Sequence, residues 1–227
     1  MIRVNSKETY KLSESNGGKG FWFDKTYIPL SILLLLLAGS VGYWLKVTQT
    51  PRESSADVGF ARDMSVHHAQ AVEMSTLLYN RTNDDIMKIM AYDILTSQQG
   101  QIGIMNGWLM VWGHNFSSGG PRMTWMGMSV EGRMPGMATQ TQLNTLSASQ
   151  DEKADVIFMQ LMIPHHRSGV QMAAAAAKQA KHPYVRQLAQ NMAEAQESEI
   201  AYMQKLLQEK GYAPVPDEPS STMMIGQ

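Results

Sequence analysis

Two stretches of this chain set adjacent histidines between methionines. Met64, His67, His68 and Met74 form one set, and Met162, His165, His166 and Met172, within "MIPHHRSGVQM", form the other. At about 100° per residue each set falls within an arc of about 120°, one face of a helix. Imidazole nitrogen and thioether sulfur together make a soft donor set. That combination favours Cu(I), whereas zinc prefers thiolate or carboxylate partners and calcium requires oxygen. A di-iron carboxylate centre would need inward Glu residues and Glu-x-x-His pairs, and that spacing does not occur.

The competing reading is an ordinary helix core, with Met as adaptable packing and each His satisfied by a carbonyl or by Gln98 or Gln196. Two His pairs with the same Met neighbours weigh toward metal. Burying four imidazoles removes them from water, and a bound ion would compensate. Met64 with His68, and Met162 with His166, stand one helical turn apart and can converge on one ion. Adjacent histidines diverge by about 100°, so His67 and His165 serve other ions or reach neighbouring helices. Pro164 stands where Val66 stands in the first set, and it is expected to release a backbone carbonyl and kink the helix beside His165.

The elements that position these residues repeat. At an offset of 98 residues, eleven of the fifty positions from Phe60 to Leu109 are identical to their counterparts between Phe158 and Leu207. The identities include all eight residues above and, further along, Gln98, Ile102, Met105 and Leu109 against Gln196, Ile200, Met203 and Leu207. Their helical spacing adds Met105 and Met203 to the inward face. A duplicated unit accounts for this. Each unit reads as two helices joined by a polar turn, hairpin 1 over 58–112 and hairpin 2 over 150–211, which predicts an all-α four-helix bundle. Pro183 suits a first helical turn and Gly211 a helix end. Between the hairpins, 113–149 is a Met-rich crossover loop with a short helix expected near 139–147. The segment after Gly211, 212–227, carries three prolines and is expected to be disordered.

Ahead of the bundle, residues 27–45 carry no charge, span roughly 28 Å as a helix, and have aromatic residues near both ends. They are expected to cross a membrane once. Five basic residues precede them, so the positive-inside bias puts segment 1–26 in the cytoplasm and the remainder, after a linker over 46–57, outside. A cleaved signal peptide ending near "AGS" at 38–40 is the alternative.

Composition narrows the function classes. A net charge of -1 and the lack of a Gly-rich phosphate loop argue against nucleic acid. The chain has no cysteine, which excludes disulfides, Cys-based zinc sites and a thiol nucleophile. Met, used 19 times, outnumbers Leu, the usual leader. No nucleophile–base–orienter triad is legible, and the acids of "DEKAD" and "EAQESE" fall on expected surfaces, so the chain is not read as an enzyme.

"FMQLMIPHHRSGVQMA", with "MPGMAT" upstream, resembles the DUF305 family over about residues 57–211. The resemblance implies a ferritin-like bundle in an exported or membrane-anchored protein, and some family members bind copper in the periplasm. It directs attention to the eight His and Met residues above and to Met134 and Met137 of "RMPGM" as further ligands or a flexible entry. The cluster "MTWMGM" at 123–128 departs from the family pattern. Together these readings predict a membrane-anchored extracytoplasmic copper binder that sequesters Cu(I) or hands it on through exposed loop thioethers. The alternative is an accessory subunit of a larger membrane complex, such as a respiratory one. Oligomeric state is left open.

Overall fold

The computed structural model describes residues 27–217, with the side chains of 27–28 and 45–49 outside that description. The expected cytoplasmic segment 1–26 and residues 218–227 also lie outside it. The chain divides after Gln49 into two units. The first contains α1 (Tyr27–Gln49), which continues past the expected end at 45. Its large apolar side chains are exposed, Leu35 by 73% and Leu36 by 66%, so this unit buries no core of its own. Among the described residues no helix is long and apolar enough to cross a membrane.

The second unit holds α2 (Ala56–Tyr79), α3 (Asp85–Trp112), α4 (Gln140–Ser147), α5 (Asp151–Gln179) and α6 (Pro183–Glu209). Among the described residues the only β feature is an isolated bridge between Arg122 and Val130. The helix ends follow local chemistry. Ser55 caps α2 through the Val58 N–H, Asp84 caps α3 through Ile86 and Met87, and Thr139 with Gln142 forms a capping box at α4. Gly113 ends α3 in the left-handed region, φ 77°. Pro183 opens α6, and Asp57 of α2 accepts from the Lys181 and His182 N–H groups just ahead of it.

Packing joins α2 to α3, α5 to α6, and α2 to α5. The core divides into two clusters that exchange repeat halves. One contains Met74 of α2 with Met162 of α5 and Met203 of α6; the other contains Met172 of α5 with Met64 of α2 and Met105 of α3. The late part of each histidine helix therefore packs with the early part of the other, so α2 and α5 run in opposite directions. Each fully buried Met contributes about 1.5–3 kcal/mol of apolar burial.

The crossover is docked onto the bundle, which corrects the expectation of exposed loop thioethers. Met123 and Met134 are 3% and 1% exposed, and Met126, Met128 and Met137 are half-buried. Asp63 of α2 accepts from the Met123 N–H at 2.8 Å and from Trp125 Nε1 at 2.9 Å, and Trp125 packs on Gly59 and edge-on to Phe60. Gln70 of α2 bonds both the N–H and the C=O of Ala138, at 2.7 and 2.9 Å.

The segment 212–217 also differs from the disorder expected there. Gln204 pairs with Val215 through both backbone groups, and Arg167 donates to the carbonyls of Val215 and Pro216 and pairs with Asp217.

Candidate metal centre

The four histidines meet where α2 crosses α5, and all are withdrawn completely from solvent. The rings of His67 and His165 stack across the crossing, with centroids 3.7 Å apart and planes inclined by 30°. His165 Nε2 donates to the backbone carbonyl of His67 at 3.1 Å. The second histidine of each pair turns toward its own hairpin partner: His68 Nε2 donates to Gln101 Oε1 of α3 at 2.7 Å, and His166 Nε2 donates to Glu199 Oε2 of α6 at 2.5 Å.

These partners assign the tautomers, because a carbonyl, amide or carboxylate oxygen can only accept. In neutral His68, His165 and His166 the ring hydrogen sits on Nε2 and the lone pair on Nδ1. All three Nδ1 atoms, and both ring nitrogens of His67, are buried without a hydrogen-bond partner. Native interiors seldom leave such groups unpaired. Burial holds the His67 and His165 imidazoles well below the usual histidine range, and neighbouring imidazoles act in the same direction. Burial lowers His68 to about 4 against the opposing effect of its hydrogen bond to Gln101. These three rings are therefore neutral at pH 7, the form that offers a lone pair to a metal.

The methionines complete the donor inventory. Met64, Met105 and Met172 lie in one adjoining cluster and Met74, Met162 and Met203 in the other, each fully buried. The inward placement of all six matches the sequence reading. Their grouping does not follow the hairpins, since each cluster draws two methionines from one repeat and one from the other. Met134 joins the Met64 cluster, with half-buried Met137 against it. Among the described residues no three His, Asp or Glu side chains gather as a preformed metal cluster. The residues present nonetheless fit a soft ion, since the four histidine rings at the crossing carry unpartnered buried nitrogens and the same helices bury methionine thioethers in the adjoining core clusters.

Several expectations change. Gln98 and Gln196 do not satisfy the histidines; their own Oε1 atoms are buried and unpartnered. Gln196 lies so close to Gly169 that a Cβ there would collide with it. Glu199, within "EAQESE", faces His166 rather than lying free on a surface, and Asp155 of "DEKAD" is 1% exposed. Pro164 lies inside α5 as the sequence suggested, and its carbonyl packs against Gly136 of "MPGM".

Gln101 and Glu199 are the functional candidates that the repeat comparison passed over. They occupy equivalent positions, 98 residues apart, but differ in identity, so a search for identities skips them. Their place one turn beyond Gln98 and Gln196 on the same inward strip was the available signal.

The family model for a domain of unknown function, DUF305, matches residues 57–207. A crystal structure of a DUF305 protein from Streptomyces coelicolor, described as a candidate secreted protein, is 46% identical, covers 74% of this chain and 100% of its own, and superposes with a TM-score of 0.69. A DUF305 fragment from Deinococcus radiodurans is 28% identical over 68% of this chain and 96% of its own, with a TM-score of 0.57. CopM in its Cu(II)-bound form is 25% identical over 68% of this chain and 97% of its own, with a TM-score of 0.56. CopM has also been solved with Cu(I) and with silver. An uncharacterized protein of Acanthamoeba polyphaga mimivirus is 42% identical over 50 residues, 22% of this chain, and the match spans a third of that protein's length.

Proposed function

The chain belongs to the DUF305 family, and from that premise we propose that it is a membrane-anchored extracytoplasmic copper-binding protein that sequesters Cu(I) or passes it to a membrane protein. The observation that carries the proposal is the set of five unpartnered imidazole nitrogens at the α2–α5 crossing, on helices that also bury methionine thioethers. Thioether favours Cu(I) and imidazole suits copper generally, so the donor set points to copper over zinc or calcium. Copper would supply the missing partner for one nitrogen of each ring, four of the five because neutral His67 keeps a hydrogen on the other, and would link the two repeats.

In this reading His67, His68, His165 and His166 are the nitrogen donors. Met64, Met74, Met105, Met162, Met172 and Met203 are the sulfur donors, with Met134 and Met137 beside the Met64 cluster. The role is binding and transfer, not turnover. The apolar, outward side chains of α1 suit lipid better than water, and the basic excess before it puts the bundle outside the cytoplasm. A copper-bound structure in a relative 25% identical to this chain supports the choice of metal.

Equilibrium dialysis of the full-length protein in detergent tests the proposal. Uptake of copper by the wild type, lost in the double variant His165→Ala with His166→Ala, is the expected result. Equal uptake by both proteins would remove the histidine centre from consideration.

The second reading, an accessory subunit of a larger membrane complex, rests on the exposed Ile86, Ile89, Ile104, Met110 and Val111 of α3. It requires co-migration of the solubilised protein with other subunits. Migration as a free monomer or small homo-oligomer counts against it.

A further inference from the structure

The two hairpins place the same imidazole nitrogen against different oxygens. In the first repeat His68 Nε2 meets the neutral amide of Gln101; in the second His166 Nε2 meets the carboxylate of Glu199. The geometry is otherwise repeated, at 2.7 and 2.5 Å, with Nδ1 of each ring buried and unpartnered. Both oxygens hold the ring hydrogen on Nε2 and leave Nδ1 as the coordinating atom. Only one adds a negative charge.

We propose that Gln101 and Glu199 are positioning residues that divide the paired centre by oxidation state, the His68–Gln101 half favouring Cu(I) and the His166–Glu199 half favouring Cu(II). This rests on the copper reading above.

Two effects act together. A carboxylate on the distal N–H makes an imidazole a stronger donor than an amide does. Its charge also offsets a divalent ion more than a monovalent one, and the difference is felt strongly in a site shielded from water. Access differs from a sealed core as well. Glu199 keeps 30% of its side chain exposed and lines a groove of about 250 Å³ between α3 and α6. Asp93 adds a second carboxylate to that groove, and Met90 a thioether.

The test exchanges the two oxygens in the full-length protein. Glu199→Gln copies the first repeat and Gln101→Glu copies the second. Cu(I) affinity is read by competition with a chromophoric chelator under reductant, and Cu(II) affinity by titration followed with electron paramagnetic resonance.

Glu199→Gln is expected to weaken Cu(II) about 10-fold or more while leaving Cu(I) within about twofold, the size of effect typical of a partner behind a ligand. For a one-electron couple each tenfold change in that ratio raises the potential of the bound copper by about 59 mV. Gln101→Glu is expected to shift the ratio the opposite way. An unchanged ratio in both variants, or an equal loss of both ions, overturns the inference while the copper reading stands on wild-type uptake. A wild type that takes up neither ion overturns both.

Discussion

At the scale of single residues, the six inward methionines serve two roles that substitution can separate. Met and Leu have similar volume, so a Met that only fills space can be exchanged at a cost below about 1.5 kcal/mol. Leu has no lone pair to offer a metal. The double variant Met64→Leu with Met162→Leu places one change in each core cluster. The apo protein is expected to unfold in urea close to the wild-type midpoint, while Cu(I) affinity falls about 10-fold or more, as for loss of a ligand or its direct support. Unchanged affinity with unchanged stability would return these methionines to the core. The histidines do not allow so clean a separation, because their unpartnered nitrogens burden the apo fold whether or not metal binds.

Among the elements, the crossover shows how a segment without regular structure is held over a site. Two side-chain anchors and one backbone contact pin it to the bundle: Asp63 to Met123 and Trp125, Gln70 to Ala138, and the backbone of Pro164 against Gly136. Gly136 has φ 75°, and a Cβ on it would stand 2.5 Å from the Pro164 carbonyl oxygen and 2.7 Å from Ser168 Cβ. That oxygen belongs to a helix backbone and cannot move aside cheaply. Gly136→Ala is therefore expected to cost about 1–3 kcal/mol, combining left-handed strain with the clash. Urea denaturation gives the loss of stability, and faster proteolytic cleavage within 113–139 would locate it in the crossover. Wild-type stability and cleavage in this variant would mean that "MPGM" is not clamped on α5. The burial of this loop was not legible in the sequence. Helical periodicity reports an inward face, whereas "RMPGMAT" has no period, and it is held by the distant residues Gln70, bonded to Ala138, and Pro164, packed on Gly136.

For the whole molecule, the repeat made the two hairpins and the histidine face readable, since identical residues recur 98 positions apart at helical spacing. It could not reveal that the methionine clusters trade halves, because that depends on α2 and α5 running in opposite directions. Nor could it reveal Gln101 and Glu199, whose difference concealed their equivalence. Another long-range tie went unread for the same reason. Lys210, at the end of α6, pairs with Asp84 at 2.7 Å and lies 3.5 Å from Asp155 of α5, which draws the turn before α3 to the far end of hairpin 2. The Lys210 hydrogen bond holds the Asp84 carboxyl below its ordinary value despite some opposing desolvation, and the Ile86 and Met87 N–H groups act with it. A depressed folded-state value means that Asp84 contributes stability above the unfolded carboxylate value of about 3.9 and loses it as pH falls through the folded value. The α3 cap should outlast the ion pair in Asp84→Asn, because an amide oxygen still accepts from Ile86 and Met87. This variant is expected to be less stable than wild type at pH 7 by about 0.5–1 kcal/mol, the range for a partly exposed pair, and the difference should narrow as pH falls below about 4. Urea midpoints compared at pH 7 and pH 3 check it; a gap that stays constant between them would mean that Asp84 acts only as the cap of α3.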